Sequence, residues 1–194
     1  MAALDDAALV AKVRQGDLGA FEALYERYKT MVFRTACAIT HESSAAEEIT
    51  QECFVRAYRN LDKVDTSTCL GPWLHRIAAN LSYNWWRVAR RQWTIPLEDD
   101  FEDSRHLGSQ RAAAFALNSE TIRATMQAVN SLCFEQRVTV ILFYLNGLSL
   151  EEIGYVLDCP VGTVKSRLHY AKINLKKQLE QAWEPAPQVV YEPI

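Results

Sequence analysis

The stretch from Gly147 to Leu179 constrains the fold more than any other part of the chain. Ser149 and Glu152 form an S-x-x-E pair, whose hydroxyl and carboxylate satisfy each other's orphan amides at a helix start. The short helix they open ends near Leu157. Asp158-Cys159-Pro160 then turns the chain, and a longer helix runs from about Gly162 to Trp183. Val164, Leu168, Ala171 and Leu175 share one face of that helix and must pack inward. A short capped helix, a three- to four-residue turn and a longer basic helix make a helix-turn-helix. An ordinary helical hairpin would satisfy the same pattern.

The rest of the chain reads as helices too. A short one covers about Ala7–Gln15 and stops at Gly16. Asp17 caps the next, in which Phe21, Leu24, Tyr25, Tyr28, Val32 and Phe33 recur at helical spacing through about Ile39. Ser44 and Glu47 are expected to form another capping box, opening a third helix to about Asn60. Asp62–Gly71 reads as a loop. Pro72 sits in the first turn of a fourth helix, to about Arg91, with Trp73, Ile77, Leu81 and Val88 as its expected buried stripe. Helices over about Ala113–Asn130 and Phe134–Asn146 precede the helix-turn-helix, and Gly147 stops the second. The expected fold class is therefore all-α, with two small helical domains joined by a flexible acidic linker. Their bounds are 1–93 and 113–183, with the linker at 94–112 and a Pro-rich disordered tail at 184–194.

Charge divides along the same lines. Trp73–Trp93 holds four arginines (Arg76, Arg87, Arg90, Arg91) and no acid. Val161–Gln178 holds five basic residues (Lys165, Arg167, Lys172, Lys176, Lys177) and no acid. Glu98-Asp99-Asp100-Phe101-Glu102-Asp103 lies between them, so the net charge of −3 is an average over opposed segments. Two basic patches suit a polyanion touched in two places. Two solvated helix faces would give the same segregation.

On the last helix the face opposite the apolar stripe carries Gly162, Ser166, His169 and Tyr170, flanked by Lys165 and Lys172. These side chains fit a major groove, the cations on phosphates and guanine edges, Ser and His as hydrogen-bonding groups. On the fourth helix Trp86 lies almost opposite the expected stripe, and Tyr83 projects to the same side with Arg76, Arg87 and Arg90. Aromatics among arginines can stack unpaired bases. They can equally pack against the linker or the second domain.

Other classes find little support. No apolar run approaches the roughly 20 residues of a membrane-spanning helix. The N-terminus lacks the pattern of a signal peptide, so the expected location is cytoplasmic. The five cysteines (Cys37, Cys53, Cys69, Cys133, Cys159) form no CxxC pair. Cys37 and His41 could share a metal at i, i+4, but two ligands are too few for a structural site and no second pair is evident. No metal or cofactor is expected. Nothing resembles a nucleophile–base pair, so no catalytic residues are assigned and the chain is not expected to be an enzyme.

Two stretches in the first domain, Ala46-Glu47-Glu48-Ile49-Thr50-Gln51-Glu52-Cys53-Phe54-Val55-Arg56-Ala57-Tyr58 and Trp73-Leu74-His75-Arg76-Ile77-Ala78-Ala79-Asn80, resemble region 2 of a known family. In the second, Gly147-Leu148-Ser149-Leu150-Glu151-Glu152-Ile153 and Pro160-Val161-Gly162-Thr163-Val164-Lys165-Ser166-Arg167-Leu168 resemble its region 4. The family is the extracytoplasmic-function (ECF, group 4) RNA polymerase sigma factors of the sigma-70 family. The likeness covers about Gly16–Arg91 and Thr125–Leu179, and all its motifs fall in order.

The resemblance implies a factor that binds core RNA polymerase and directs promoter-specific initiation. Glu47, Glu48, Gln51, Glu52 and Arg56 would dock on the clamp helices of the β′ subunit, with the β flap as a further polymerase contact. The Asp62–Gly71 loop would capture a flipped base of the minus-10 element, and Asn80, Tyr83, Trp86, Arg87 and Arg90 would hold the melted strand. Thr163, Lys165, Ser166, Arg167, His169, Tyr170 and Lys172 would read the minus-35 duplex. The acidic linker would thread toward the polymerase active-site channel. A separate anti-sigma factor is the expected regulator. The main alternative is a stand-alone helix-turn-helix transcription regulator, and another is a protein that sequesters polymerase without reading DNA.

Overall fold

The computed structural model describes residues 5–64, 70–92 and 124–182. The expected acidic linker, the tail and residues 65–69 of the base-capturing loop, Cys69 among them, lie outside the described residues.

Four helices form the first unit. They are α1 (Asp6–Arg14), α2 (Leu18–Thr40), α3 (Ser43–Asn60) and α4 (Leu70–Gln92). Asp17 caps α2 as expected, its carboxylate accepting from Ala20 N at 3.1 Å. The expected box at Ser44 and Glu47 does not form. α3 starts two residues earlier, Glu42 occupies the N-cap position, and the Ser44 hydroxyl donates instead to the Glu42 carboxylate at 2.7 Å. A 3₁₀ turn over Leu61–Lys63 follows α3. Leu9, Val10, Leu24, Val32, Ala36, Ile49, Cys53, Phe54, Leu74 and Ala78 fill the core between these helices.

The buried stripe of α4 differs from the expected one. Its inward positions are Leu74, His75, Ala78, Ala79, Leu81 and Ser82, whereas Val88 is 52 % exposed and Trp73 and Ile77 are only partly buried. Small residues let α4 lie close against its neighbours, so the large apolar side chains fall on the flanks. Ser82 pays no penalty there because its hydroxyl donates to Ala78 O at 2.8 Å.

The second unit comprises α5 (124–131), α6 (Phe134–Val140) ending in a π-helical turn over Ile141–Leu145, α7 (Leu150–Leu157) and α8 (Val161–Ala182). Gly147 ends the α6 segment with φ +68°, a conformation that costs glycine little. Ser149 and Glu152 make both hydrogen bonds of the capping box, at 3.2 and 2.8 Å. Asp158 makes the left-handed turn that ends α7, at φ 51°.

The second core is not closed by its own helices. Ile39 of α2 and Ala79 of α4 are buried in it beside Leu132, Phe134, Val138, Leu142, Ile153, Val156, Val164 and Leu168. The two units are thus packed together along one side of α4.

Candidate nucleic-acid interface

α8 presents its two faces as the spacing requires. Val164, Leu168 and Ala171 are buried against α6 and α7. Lys165, Ser166, His169, Tyr170 and Lys172 are exposed on the other side, with Tyr170 at 58 %. Lys172 Nζ stands 6.0 Å from the Tyr144 ring centre, and the His169 and Tyr170 rings meet edge to face at 5.5 Å. Lysines among exposed polar and aromatic groups, with no acid nearby on the helix, form an electropositive surface shaped for a groove. Thr163 and Arg167 are turned partly aside. Arg167 Nη1 donates to Cys159 Sγ at 3.7 Å, and its side chain lines a cleft between the two units.

Along α4, Asn80 and Arg87 are exposed, and Arg90 lies in the last turns, where only the backbone is described. Tyr83 and Trp86 stack on each other with ring centres 6.3 Å apart, but they do not face solvent freely. Phe134 of the second unit meets Trp86 at 4.8 Å and Tyr83 at 5.1 Å, and is itself only 8 % exposed. Of the two readings left open by the sequence, the packed one describes this conformation. The half-buried indole gains about 0.5–1.5 kcal/mol per aromatic contact beyond the area it buries.

Asn80 also lines a second cavity of about 320 Å³, with Arg56, Asn60, Lys63, Val64, Trp73 and Ile77. It has an aromatic wall, two cations and two amides, and it opens beside the end of α3 and the following turn. Arg14, reaching over from α1, donates to Leu61 O at 3.1 and 3.3 Å and to Val64 O, fixing the turn that forms one wall. Periodicity gave no sign of Arg14's role, because its partners are carbonyls far away in sequence.

The outer face of α3 exposes Glu47, Glu48, Gln51, Glu52 and Arg56, with Arg56 Nε on Glu52 at 2.7 Å. Next to it Phe21, Tyr25, Phe54, Val55 and Tyr58 line an apolar notch of about 490 Å³. Cys53 behind this face is a core residue. Its thiol donates to Leu74 O at 3.7 Å, and burial pushes its pKa up to about 12, so it is unreactive.

The seam between the units contains polar groups as well. Asn146 Nδ2 donates to Thr35 Oγ1 at 2.5 Å and lies 3.1 Å from His75 Nδ1, while the Thr35 hydroxyl donates to Met31 O at 2.9 Å. The same amide nitrogen lies 3.4 Å from Nε2, so a neutral imidazole with Nδ1 as acceptor suits the nearer contact. Burial pushes His75 down to about 4, Glu152 acting weakly the other way. Further along, Arg76 Nη1 donates to Tyr155 O at 3.0 Å, Nη2 lies 3.2 Å from Asp158 Oδ1, and the guanidinium sits 5.0 Å from the Tyr155 ring centre. Arg76 therefore caps the negative end of α7.

Among the described residues no group of three or more His, Cys, Asp and Glu could hold a metal ion, and no helix is long and apolar enough to cross a membrane.

The fold and its surfaces define a two-unit helical protein with a helix-turn-helix whose last helix exposes Lys165 and Lys172, and with Arg76 and Arg87 along α4. Comparison with known proteins specifies the family. Sigma-70 region 2 matches residues 24–92 and Sigma-70, region 4, matches residues 122–175. The ECF RNA polymerase sigma factor SigW of Bacillus subtilis is 32 % identical over 176 residues, covering 88 % of this chain and 94 % of that protein. The ECF RNA polymerase sigma-E factor of Haemophilus influenzae is 32 % identical over 187 residues, covering 91 % and 96 %. The structure of CnrH in complex with the cytosolic domain of CnrY shares the fold, with TM-score 0.68 and 22 % identity, over 92 % of this chain and 99 % of that one. So does the sigma factor RpoE in complex with the anti-sigma factor NepR from Bartonella quintana, with TM-score 0.63 and 22 % identity, over 82 % and 96 %. The chain belongs to the ECF sigma factors of the sigma-70 family. Like them it is a non-enzymatic factor that partners RNA polymerase and promoter DNA to initiate transcription.

Proposed function

We propose that the labour of initiation divides among the helix faces described above. The exposed face of α8, through Lys165, Ser166, His169, Tyr170 and Lys172, reads the minus-35 duplex, with Thr163 and Arg167 at its edge. The outer side of α4, through Asn80, Tyr83, Trp86, Arg87 and Arg90, holds the melted minus-10 strand. The Asn80 cavity, walled by Trp73 and flanked by Arg56 and Lys63, has the size and chemistry for one unstacked base. The α3 face from Glu47 to Arg56 docks on the β′ clamp helices, and the second unit meets the β flap. Units at 1–93 and 113–183 with a connector at 94–112 fit this division.

The observation that carries the reading is the pairing of aromatics with arginines on α4 and of lysines with hydrogen-bonding groups on α8. Melting a duplex costs stacking energy, and a protein offsets that cost only by stacking and binding the exposed bases. The duplex-reading unit sets the register, and the tether raises the local concentration of each unit at its site. The factor works in the cytoplasm, where polymerase and promoter are found. An anti-sigma protein regulates it. The complexes of CnrH with CnrY and of RpoE with NepR support that partner.

The test is reconstitution. The purified chain mixed with core RNA polymerase should form a stable complex that initiates from defined positions on genomic promoter fragments. If it bound promoter duplex tightly without polymerase and never directed initiation, the stand-alone regulator would replace this reading.

A further inference from the structure

Val140 and Ile141 are buried, yet Tyr144 and Leu145, about one helical turn further along the α6 segment, stand in solvent, Tyr144 at 58 %. The chain is π-helical here, the Asn146 amide reaching back five residues to donate to Ile141 O at 3.1 Å. Wide turns of this kind are frequent at functional sites. A ring left in water forgoes the burial that usually stabilises an aromatic side chain. Tyr144 is nonetheless held in place. The Phe143 ring meets it edge to face at 4.9 Å, and Lys172 Nζ of α8 lies 6.0 Å from its centre.

Lys172 belongs to a row. Lys165, His169, Lys172 and Lys176 follow one another at helical spacing, and all four are exposed along one side of α8. Lys176 has Glu180 at 3.7 Å, whereas Lys165 and Lys172 have no acidic partner among the described residues. Residues 136–150 and 161–178, which supply the two banks of this surface, hold no acid at all. The Tyr144 hydroxyl likewise has no hydrogen-bond partner among the described residues. A free neutral donor therefore stands beside an unneutralised ammonium, each from a different element.

We propose that Tyr144 and Lys172 grip one backbone phosphate of the minus-35 duplex, which makes Tyr144 a DNA-binding residue supplied from outside the helix-turn-helix. The inference rests on the assignment of the exposed α8 face made above. A helix seated in the major groove brings the groups at its borders against the phosphates, which accept hydrogen bonds from tyrosine hydroxyls as well as from lysines. The phosphate oxygens are charged, so both bonds are of the stronger, charge-assisted kind. The Tyr144 ring also steadies the ammonium before DNA arrives, and a lysine already placed loses less freedom on binding. The grip carries no sequence information. It fixes how α8 is seated, and base reading by Ser166 and His169 depends on that seating.

The experiment uses holoenzyme reconstituted with the full-length chain. The probe is a duplex bearing the minus-35 element of a promoter mapped with that holoenzyme, titrated at several salt concentrations. Tyr144→Phe keeps the ring and its contacts and removes only the hydroxyl. It should weaken binding about fivefold with an unchanged salt slope, because the lost donor is neutral. Lys172→Ala should weaken binding and lower the slope by about 1. Probes carrying a single methylphosphonate in place of one backbone phosphate then locate the grip. One position should weaken the wild type and make no difference to the Tyr144→Phe/Lys172→Ala double variant. Wild-type affinity in Tyr144→Phe, or the absence of any such position, would overturn the proposal. So would a Tyr144→Phe defect confined to core polymerase binding, which would give this face to a protein. Lys165→Ala tests the underlying assignment separately. If it weakens the probe while Tyr144→Phe is silent, only the grip fails; if both are silent, the assignment of the α8 face fails.

Discussion

Trp86 and Phe134 meet at 4.8 Å, their rings tilted by 35°, although one lies on α4 of the first unit and the other in the second. The contact ties the two halves of the protein's task together. Phe134 covers part of the indole in this conformation, and the same indole is one of the side chains proposed above to hold the melted strand.

In the holoenzyme Trp86→Ala should cost about 1–3 kcal/mol of melted-strand binding, the usual worth of one base–aromatic stack. Open complexes would be correspondingly less stable, while binding to core polymerase would be unchanged because α3 is untouched. Open-complex lifetimes on a mapped promoter supply the measurement.

Much of this architecture was legible in the sequence, and the exceptions have physical reasons. Asp17 and the Ser149–Glu152 box fix helix starts through contacts within one turn, and the sequence displays such contacts directly. Ser44 departs from the expectation because the chain is already helical at Ser43, which puts Ser44 inside the first turn, where its hydroxyl donates to the Glu42 carboxylate instead of accepting from the Glu47 amide. The α4 stripe was misread because periodicity weighs large apolar groups, while His75, Ala79 and Ser82 face inward by virtue of close approach and hydrogen bonding. The Asn146, Thr35 and His75 cluster joins residues far apart in the chain, and nothing local announces it.

That cluster makes the stability of the packed form depend on pH. The pKa of His75 falls from its ordinary 6.5 to about 4 in the folded chain, so the unfolded state takes up a proton first as pH drops. Stability should be full above about 6.5, decline as pH falls toward 4 and flatten below it, by on the order of 3 kcal/mol in all. Protonation would also turn Nδ1 into a donor facing the Asn146 amide donor. Thermal melts across that range should show the slope, and His75→Gln should make it shallower, leaving the part that comes from His41, which burial also holds below its ordinary value. A wild-type slope no steeper than the variant's would refute the neutral-imidazole arrangement.

On α8, Lys165 and His169 should behave differently. Lys165→Ala should weaken promoter and random duplex alike and lower the salt slope by about 1, as loss of a phosphate contact does. His169→Ala should act on the promoter sequence alone, by about 1–3 kcal/mol if it touches a base edge. Titrations of both duplexes at several salt concentrations separate the two. A uniform loss for His169→Ala would move that residue from base reading to backbone positioning.

Arg14 should matter to the minus-10 side without touching DNA. Its guanidinium joins Leu61 O and Val64 O, which a lysine, as a single point donor, cannot do equally well. Arg14→Ala is expected to speed amide exchange at residues 61–64 and weaken strand binding by roughly 1 kcal/mol, about fivefold. Arg14→Lys should recover only part of this, with minus-35 binding unaffected throughout. Unchanged exchange at residues 61–64 would show that the turn holds its shape unaided.

Gly154 decides the angle of the helix-turn-helix. A Cβ there would stand 3.0 Å from Cys159 O and 3.6 Å from a Val161 methyl, so α7 approaches the following turn as closely as a bare backbone allows. The Cys159 amide also donates to Gly154 O at 3.0 Å, which leaves the carbonyl little room to retreat. Gly154→Ala gains up to about 1 kcal/mol of helix propensity. Overpacking against a fixed backbone atom costs about 1–3 kcal/mol. The cost outweighs the gain, so the variant should melt at lower temperature and hold α8 at an altered angle to α7. Affinity for minus-35 duplex should then fall more than stability alone explains, with core polymerase binding intact. A variant that is more stable than wild type and reads the duplex equally well would show that the turn yields, and that the glycine is not what sets the angle.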